Sequence, residues 1–504
     1  MYNRISIILF LCLSVLSARS SGIDSVAFAE HVSLWKATEL RLSENPALQN
    51  GLFRMSFSEI EVGGDYSHAA QPLLYQLGKG HLFGQVKARS YIRMSENSAV
   101  WGNASYRTGK RQKQKWNSTS DFLLLYPYVM GDTIGGDLSS ERYTFSGGWV
   151  RRMKRLGLGA DINFRAEHEY RTRDPRPRCI VTDLSVSLGA MWQFCNYYMG
   201  ATFGGRFYKQ TNDVEFMREA GIIPEYQMVG LGADYQRFSG SFSSAYYKAT
   251  GWTVGADLRP AIESGAYASA GFSHTPYKRV LTDVNALPIS TLYLEKATLQ
   301  TGWRYEGTTS AWRLFAEADY ERRIGDENIA GSASANEYDV IGKMTMYRAH
   351  NATYCIGWGF TKKLDASNWT AIVKGGYNDY AADYEFPHRN MSLKKVYSEA
   401  QGQWQRLFKD GQTLSCTLSA AWYGNVDDAM TMPLASMDEA RTELMNYTYA
   451  SAKADIATAN ATVRFDIPLS VVGLKSVFAT IAGGWTSAGY YNSVALSMNV
   501  GVTF

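Results

Sequence analysis

From Leu156 to Tyr170 the chain alternates without a break. Leu156, Leu158, Ala160, Ile162, Phe164, Ala166, His168 and Tyr170 share one parity, and Gly157, Gly159, Asp161, Asn163, Arg165, Glu167 and Glu169 the other. A period of two puts the two sets on opposite faces of a β-strand. Length is the constraint: about 15 residues far exceeds the usual five or six of a soluble strand and suffices to cross a bilayer at a tilt. A strand this long with one apolar and one polar face fits the wall of a transmembrane barrel, where one face meets lipid and the other the lumen.

The same scheme recurs from about residue 52 to the end of the chain. Ile180, Thr182, Leu184, Val186, Leu188, Ala190 and Trp192 form one such strand, and Tyr197, Met199, Ala201, Phe203, Gly205 and Phe207 the next, with only Gln193 to Asn196 between them. Comparable short turns fall near Met153, Thr308, Asp365 and Asp410, whereas residues 108–139, 209–249, 275–291, 322–350, 378–392 and 424–445 read as long loops. Short turns and long loops mark the periplasmic and extracellular ends of a barrel, respectively. Trp192 and Tyr197, Tyr305 and Trp312, and Phe360 and Trp369 flank short turns on the apolar parity, as a periplasmic aromatic girdle would. Both termini on the periplasmic side require an even strand count. The expected fold is therefore all-β, a transmembrane antiparallel up-and-down β-barrel of about 18 strands, with 14 to 18 compatible with the pattern. Met228 to Tyr235 and Tyr338 to Tyr347 alternate but break the up-down order, and are expected as hairpin extensions in outer loops.

Composition agrees, with 45 Gly and 33 Tyr beside 12 Pro, and a mean hydropathy of −0.25 that is unusual for a helical membrane protein. At the amino terminus Arg4 precedes an apolar stretch, Ile5 to Leu16, and then Ser17-Ala18-Arg19-Ser20-Ser21-Gly22. That stretch falls short of the roughly 20 residues a spanning helix needs, so residues 1–22 read as a secretory signal peptide. Residues 23–51 follow as a periplasmic amino-terminal segment and candidate hatch, and 52–504 as the barrel. Cys12 lies inside the apolar stretch without a lipobox, and Cys179, Cys195, Cys355 and Cys416 show neither disulfide nor metal-ligand spacing. No cofactor and no metal site is expected.

Candidate chemistry lies in the lumen and loops. Among the histidines, Gly271-Phe272-Ser273-His274 and Phe386-Pro387-His388 come nearest to a catalytic fragment, yet neither has the spacing of a hydrolytic site. No catalytic residue is assigned, and the chain is not expected to be an enzyme. Arg107, Lys110, Arg111, Lys113 and Lys115 in one outer loop, and Arg171, Arg173, Arg176 and Arg178 in the next, could hold the phosphates of lipopolysaccharide or could simply be solvated. An exported barrel without a recognition module has no nucleic-acid partner. Inward parity places Lys87, Arg89, Tyr91 and Arg93 on the second strand, Arg165 on a later one, and Arg313, Glu317, Asp319 and Glu321 on another. Charges of both signs can pair and fill a barrel, or line a channel and set its selectivity. Parity also predicts that charge at Ile162, Val186 or Val500 impairs assembly more than charge at Asn163 or Asn499.

The chain ends in Val494, Leu496, Met498, Val500, Val502 and Phe504, alternating with small or polar residues. This resembles the closing strand of Gram-negative outer-membrane barrels, whose terminal Phe belongs to the signal read by the barrel-assembly machinery; the resemblance assigns that signal to Val500, Val502 and Phe504. Asn45-Pro46-Ala47, just before the first strand, is similar to the amino-terminal hatch of long-chain fatty-acid transporters. The Tyr- and Gly-rich alternation over nearly the whole mature chain resembles the uncharacterised outer-membrane barrels of Bacteroidota. These resemblances imply a place in the outer membrane, against lipid and lipopolysaccharide. They fit a channel or transporter for a small solute, a non-conducting binding or accessory subunit beside another outer-membrane protein, or, least well, an outer-membrane enzyme.

Overall fold

The computed structural model describes residues 22–41, 44–217, 225–235, 238, 244–334, 337–433, 437–471 and 473–504; all of the expected signal peptide but Gly22 lies outside them. In chain order the strands are β1 (Phe57–Ala69), β2 (Gly80–Ser95), β3 (Ser98–Gln114), β4 (Met130–Gly131), β5 (Gly136–Met153), β6 (Leu156–Tyr170) and β7 (Arg176–Phe194). Then come β8 (Tyr197–Glu215), β9 (Tyr226–Gly230), β10 (Ala233–Asp234), β11 (Ala245–Pro260), β12 (Ser264–Leu281), β13 (Leu287–Glu306) and β14 (Ser310–Ser334). The last are β15 (Glu337–Lys363), β16 (Ser367–Tyr384), β17 (Arg389–Leu407), β18 (Thr413–Thr431), β19 (Ile456–Val471), β20 (Leu474–Ala488) and β21 (Tyr491–Thr503). Among the described residues four α-helices accompany them: α1 (Gly22–His31), α2 (Leu34–Arg41), α3 (Phe122–Leu125) and α4 (Glu439–Lys453).

All strands but β4, β9 and β10 form one antiparallel sheet of 18 strands, and it closes on itself where β1 pairs with β21, Val62 opposite Val500 and Glu59 opposite Thr503. Closure leaves no unpaired edge, which the hydrocarbon core of a membrane does not tolerate. The expected count of 18 is met. Tight turns such as Lys154–Arg155 and Cys195–Asn196 lie at the end that holds Phe504 and the amino-terminal segment. Lys154 and Cys195 adopt positive φ there, 54° and 49°, which suits a two-residue hairpin.

The outward parity is apolar and open. Ile162, Leu188, Met498 and Val500 are about half exposed, and Ile356 is 71% exposed, with no protein against them. An apolar belt of this size around a closed barrel is a lipid surface. The protein is thus a barrel of the Gram-negative outer membrane. Trp192 and Trp369 sit exposed beside the tight turns, and Tyr305 stacks on Trp312 at 6.3 Å.

The outer loops depart from expectation, beginning with residues 322–350, most of which are strand. Residues 275–291 and 378–392 are mostly strand, with connections only at 282–286 and 385–388. Their alternation is unclear in sequence because a strand standing above the membrane needs no apolar face. Tyr338 to Tyr347 does extend the β14–β15 hairpin outward, but Met228 to Tyr235 does not project. It folds inward as β9 and β10, which join β4 in a three-stranded sheet inside the barrel. The whole of the expected 108–139 loop is likewise wall or lumen: β3 runs to Gln114, the chain beyond carries α3 and β4 into the interior, and β5 begins at Gly136.

Candidate functional site

The lumen is closed twice, with a chamber between. The outer plug consists of residues 115–135 and the β9–β10 hairpin, covered by α4. Its core residues Leu125, Val129, Met130 and Leu231 are at most 1% exposed, in one apolar cluster with inward residues of the upper wall such as Tyr247, Tyr277, Leu292 and Tyr347. An irregular segment buried this way must satisfy its carbonyls. Arginines do this. Arg279 donates to the Met228 carbonyl at 3.0 Å and to Gln227, Arg389 to the Leu231 carbonyl at 2.9 Å, and Arg323 to the Tyr126 carbonyl at 2.7 Å. Arg165 grips Asp121 through both terminal nitrogens, at 2.8 and 2.5 Å. From α4, Arg441 pairs with Asp234, and Tyr447 reaches across to the Pro72 carbonyl while its ring stacks on Tyr75 at 4.1 Å.

The plug also buries a carboxyl. Glu225 is fully enclosed near Asp132, and burial, with Asp132 adding to it, pushes its pKa up to about 8. Asp132 is held by Arg171 at 2.5 Å, with both side chains buried. The basic outer runs are therefore partly structural. Arg171 faces the plug, Arg111 lies 3.4 Å from Glu169, and the Arg107 guanidinium stands 4.3 Å over the Phe83 ring.

The inner closure is made by α1, α2 and the turn of 3-10 helix at Pro46–Gln49, reaching into the periplasmic mouth. His31 stacks on Phe53 and Phe57 at 3.9 and 4.8 Å, and its Nε2 donates to the Met55 carbonyl at 2.8 Å. Burial lowers its pKa to about 4, so the ring is neutral here. Trp35 Nε1 donates to Glu306 at 2.7 Å, and Arg313 lies 4.9 Å from the Trp35 ring. Burial pushes the Glu39 carboxyl up, but Lys36 at 2.9 Å and Arg304 at 3.8 Å hold it below its ordinary value.

Asn45-Pro46-Ala47 is the firmest part of this closure. Asn45 Oδ1 accepts from the Ala47 amide at 2.9 Å, and Nδ2 donates to the Ala190 and Ala201 carbonyls at 3.2 Å, one on β7 and one on β8. The wall makes room with glycine. A Cβ at Gly159 would strike Pro46 and Ala47, and one at Gly189 or Gly200 would strike the Asn45 amide. On the opposite wall Gln403 donates to the Val32 carbonyl and accepts from the Leu34 amide. Beside α1 and α2 a cleft of about 660 Å³ remains against the strand ends.

Between the closures lie two adjoining cavities of about 350 and 280 Å³, with Glu317 and Asp319 lining both. Lys374, Glu399, Tyr397 and Tyr423 also border the first; Arg41, Glu44, Asp257 and Gln300 border the second. Glu317 accepts from Gln300 at 2.5 Å and from the Cys355 thiol at 3.3 Å. Lys374 pairs with Glu399 at 3.0 Å, and Lys395 is turned away to the Ala454 carbonyl. With the one lysine neutralised and the other occupied, the carboxylates dominate. Asp319 has no hydrogen bond or ion pair among the described residues.

The residues singled out by parity thus fall into separate groups. Glu317 and Asp319 line the chamber. Arg165 holds the outer plug and Arg313 the inner closure. Lys87 and Arg89 pair with Glu61 and Glu59 across β1 at 3.4 and 2.7 Å, and Arg93 donates to the Arg54 carbonyl at the periplasmic rim. Val500 and Val502 lie on the β1–β21 seam, and the Phe504 amide donates to the Ser58 carbonyl. Ser273 and His274 are neighbours on a strand and so face opposite ways, with His274 3.3 Å from Glu295. No group of three or more potential metal ligands occurs among the described residues. Sequence reasoning passed over Asp257, Lys374, Glu399, Arg279 and Arg389. Parity could have found the first three; nothing local marks the other two.

A family model spans the barrel and its outer plug, from Pro46 to Phe504. The chain belongs to DUF6850, a family of unknown function. The matched residues include the docked Pro46-Ala47 turn and every strand. No curated protein matches the sequence. Among solved structures, the ferric enterobactin receptor of Pseudomonas aeruginosa is similar at 8% identity over 89% of this chain and 80% of that one, with a TM-score of 0.39. The outer-membrane transporter YddB of Escherichia coli gives 8% over 90% and 81% with 0.40, and the siderophore receptor PiuA of Acinetobacter baumannii 7% over 88% and 82% with 0.41. Likenesses this distant carry no weight for what the DUF6850 barrel binds.

Proposed function

We propose that this DUF6850 barrel is a gated passage for a small solute, with preference for cations or for neutral molecules rich in hydroxyl groups. The observation that carries the reading is the chamber at Glu317 and Asp319, walled by carboxylates, amides and tyrosines and closed above and below. Fixed carboxylates in a lumen attract cations and raise their local concentration. Residues 23–51 act in this reading as the hatch, as the similarity of Asn45-Pro46-Ala47 to fatty-acid transporter barrels suggests, and Val500, Val502 and Phe504 serve assembly. The test is conductance and reversal potential of the purified barrel in a planar bilayer, with and without residues 23–50, together with Glu317→Gln and Asp319→Asn. Truncation should raise conductance, and the double neutralisation should cut cation preference.

A second reading is favoured by the outer plug, whose continuous apolar core argues for a permanent stopper and hence for a non-conducting binding or accessory subunit. Silence of both the full and the shortened barrel in the bilayer would decide for it and against the passage.

A further inference from the structure

Three lysines stand side by side on the outer wall. In the sheet register Lys248 of β11 is paired with Lys209 of β8 on one side and with Lys278 of β12 on the other, and all three are exposed on the lipid-facing parity. Like charges directly opposite on neighbouring strands repel and weaken the pairing. None of the three has an ion pair or a side-chain hydrogen bond among the described residues; Lys248 lies only against the Tyr246 ring, 5.8 Å away. The outward carboxylates of β8 and β13 face other cations. Asp213 stands opposite Arg178 and Glu215 opposite Arg176, while Glu295 is 3.3 Å from His274 and 3.5 Å from Arg322.

Height decides what meets this row. Lys209 lies about 12 residues along β8 from the tight turn at Cys195–Asn196, roughly 40 Å of strand at about 3.3 Å per residue. At a tilt of about 40° that is roughly 30 Å above the periplasmic rim, just past an apolar band about 25 Å tall. Aromatics mark the border from below: Phe207 and Trp252 are exposed, and Trp252 packs on Phe272 at 5.5 Å. The ammonium groups therefore stand at the level of the outer-leaflet head groups. We propose that Lys209, Lys248 and Lys278 form a binding site for the phosphorylated sugar head of an outer-leaflet glycolipid, lipopolysaccharide in a Gram-negative membrane. The row spans two strand spacings, about 10 Å, so neighbouring lysines can share one phosphate or hold two on one head. Clustered cations beside a low-dielectric slab bind multivalent anions, and the bound anion relieves their mutual repulsion. The basic runs of the outer loops supply no such row, since Arg111 and Arg171 turn to Glu169 and Asp132. The site lies outside the wall and is independent of the solute proposed for the chamber.

The experiment is native mass spectrometry of the full barrel in detergent micelles, titrated with lipid A and with lipid A stripped of its phosphates. Lipid A should bind saturably, and the stripped form at least about tenfold more weakly. Changing one of the lysines to Gln should weaken lipid A about fivefold, and Lys209→Gln, Lys248→Gln and Lys278→Gln together at least about twentyfold. Lys209→Arg, Lys248→Arg and Lys278→Arg together should retain binding. Lys154→Gln, Lys343→Gln and Lys409→Gln, which remove the same charge elsewhere, should leave it unchanged. Thermal unfolding is the second readout: without lipid A the triple Gln variant should be at least as stable as the native barrel, and lipid A should raise the Tm of the native protein alone. Native affinity for lipid A in the triple Gln variant, an equal loss in the charge-matched control, or equal binding of the two lipids would each overturn the assignment. Displacement of lipid A by inorganic phosphate, but not by chloride at the same ionic strength, would overturn the lipid as ligand in favour of a free anion.

Discussion

The two closures of this barrel are built on opposite principles. The outer plug is made of connections between strands, so every part of it is tethered to the wall at both ends, and it has an apolar core of its own with residues such as Met130 and Leu231 fully buried. Among the described residues, the inner closure joins the wall covalently at Phe57 alone. It is held by a few polar contacts, an aromatic stack around His31 and a glycine notch, with a cleft of about 660 Å³ beside it. A segment fixed at one end regains far more conformational freedom on release than a loop fixed at two. The difference teaches which closure should be released more easily: freeing the inner one leaves the wall and its connections intact, whereas opening the outer one means unpacking an apolar core tied to the wall at both ends.

The sharpest way to break this comparison is to place charge in the plug. Leu231→Asp puts an unpaired carboxylate where no water reaches, and should cost at least about 3–5 kcal/mol; loss of the heat-resistant folded band on gels would show it. A protein that keeps its band would mean the plug is not integral. Arg279→Met comes next, because it strands the carbonyl of Met228, at about 1–3 kcal/mol, and removes the bond to Gln227 as well. Limited proteolysis between residues 115 and 135 should become faster while the barrel persists.

For the inner closure the corresponding change is Gly189→Val. Its side chain would occupy the place of the Asn45 amide, so docking should weaken by about 1–3 kcal/mol while overall stability holds. A cysteine label at residue 36 would report it, reacting faster in the variant than in the native chain. No change in labelling would show that the notch is not what holds the segment.

The pH responses should have opposite signs, and this is the mildest effect. Undocked, His31 titrates near its ordinary 6.5; docked, burial holds it near 4. Between those values the free segment takes up the proton and the docked one does not, so docking is intact above pH 6.5 and weakens as pH falls toward 4. Glu225 behaves the other way. With its pKa raised to about 8 by burial and Asp132, the plug keeps the proton that an open segment would release, and its stability declines as pH rises through about 8. Hydrogen exchange at the two closures across pH 4 to 9 measures both. Parallel responses would contradict the assignment of one titrating group to each closure.

The wall was legible in the sequence because its physics is local. In β6 each residue from Leu156 to Tyr170 declares its own face, since lipid on one side and lumen on the other act at every position. The same parity put Lys87, Arg89, Arg165, Arg313, Glu317 and Asp319 inside, but it gave them no partners. Met228 to Tyr235 shows where the reading fails. Its alternation is genuine, yet a β-hairpin projecting into water and one folded into a lumen carry the same pattern, and only the surrounding wall distinguishes them.

By itself, then, the sequence determined a closed barrel of two-faced strands and the direction of its side chains, and bounded the strand number between 14 and 18, because period and length are properties of neighbours along the chain. The tertiary structure alone decided that the lumen is stoppered twice and holds an acidic chamber between. Those features rest on pairings such as Gln403 with Val32, 371 residues apart, and Arg323 with Tyr126, 197 apart. Such contacts arise only after the sheet closes and brings distant strands to face one lumen, and no local pattern encodes which of the inward side chains then meet.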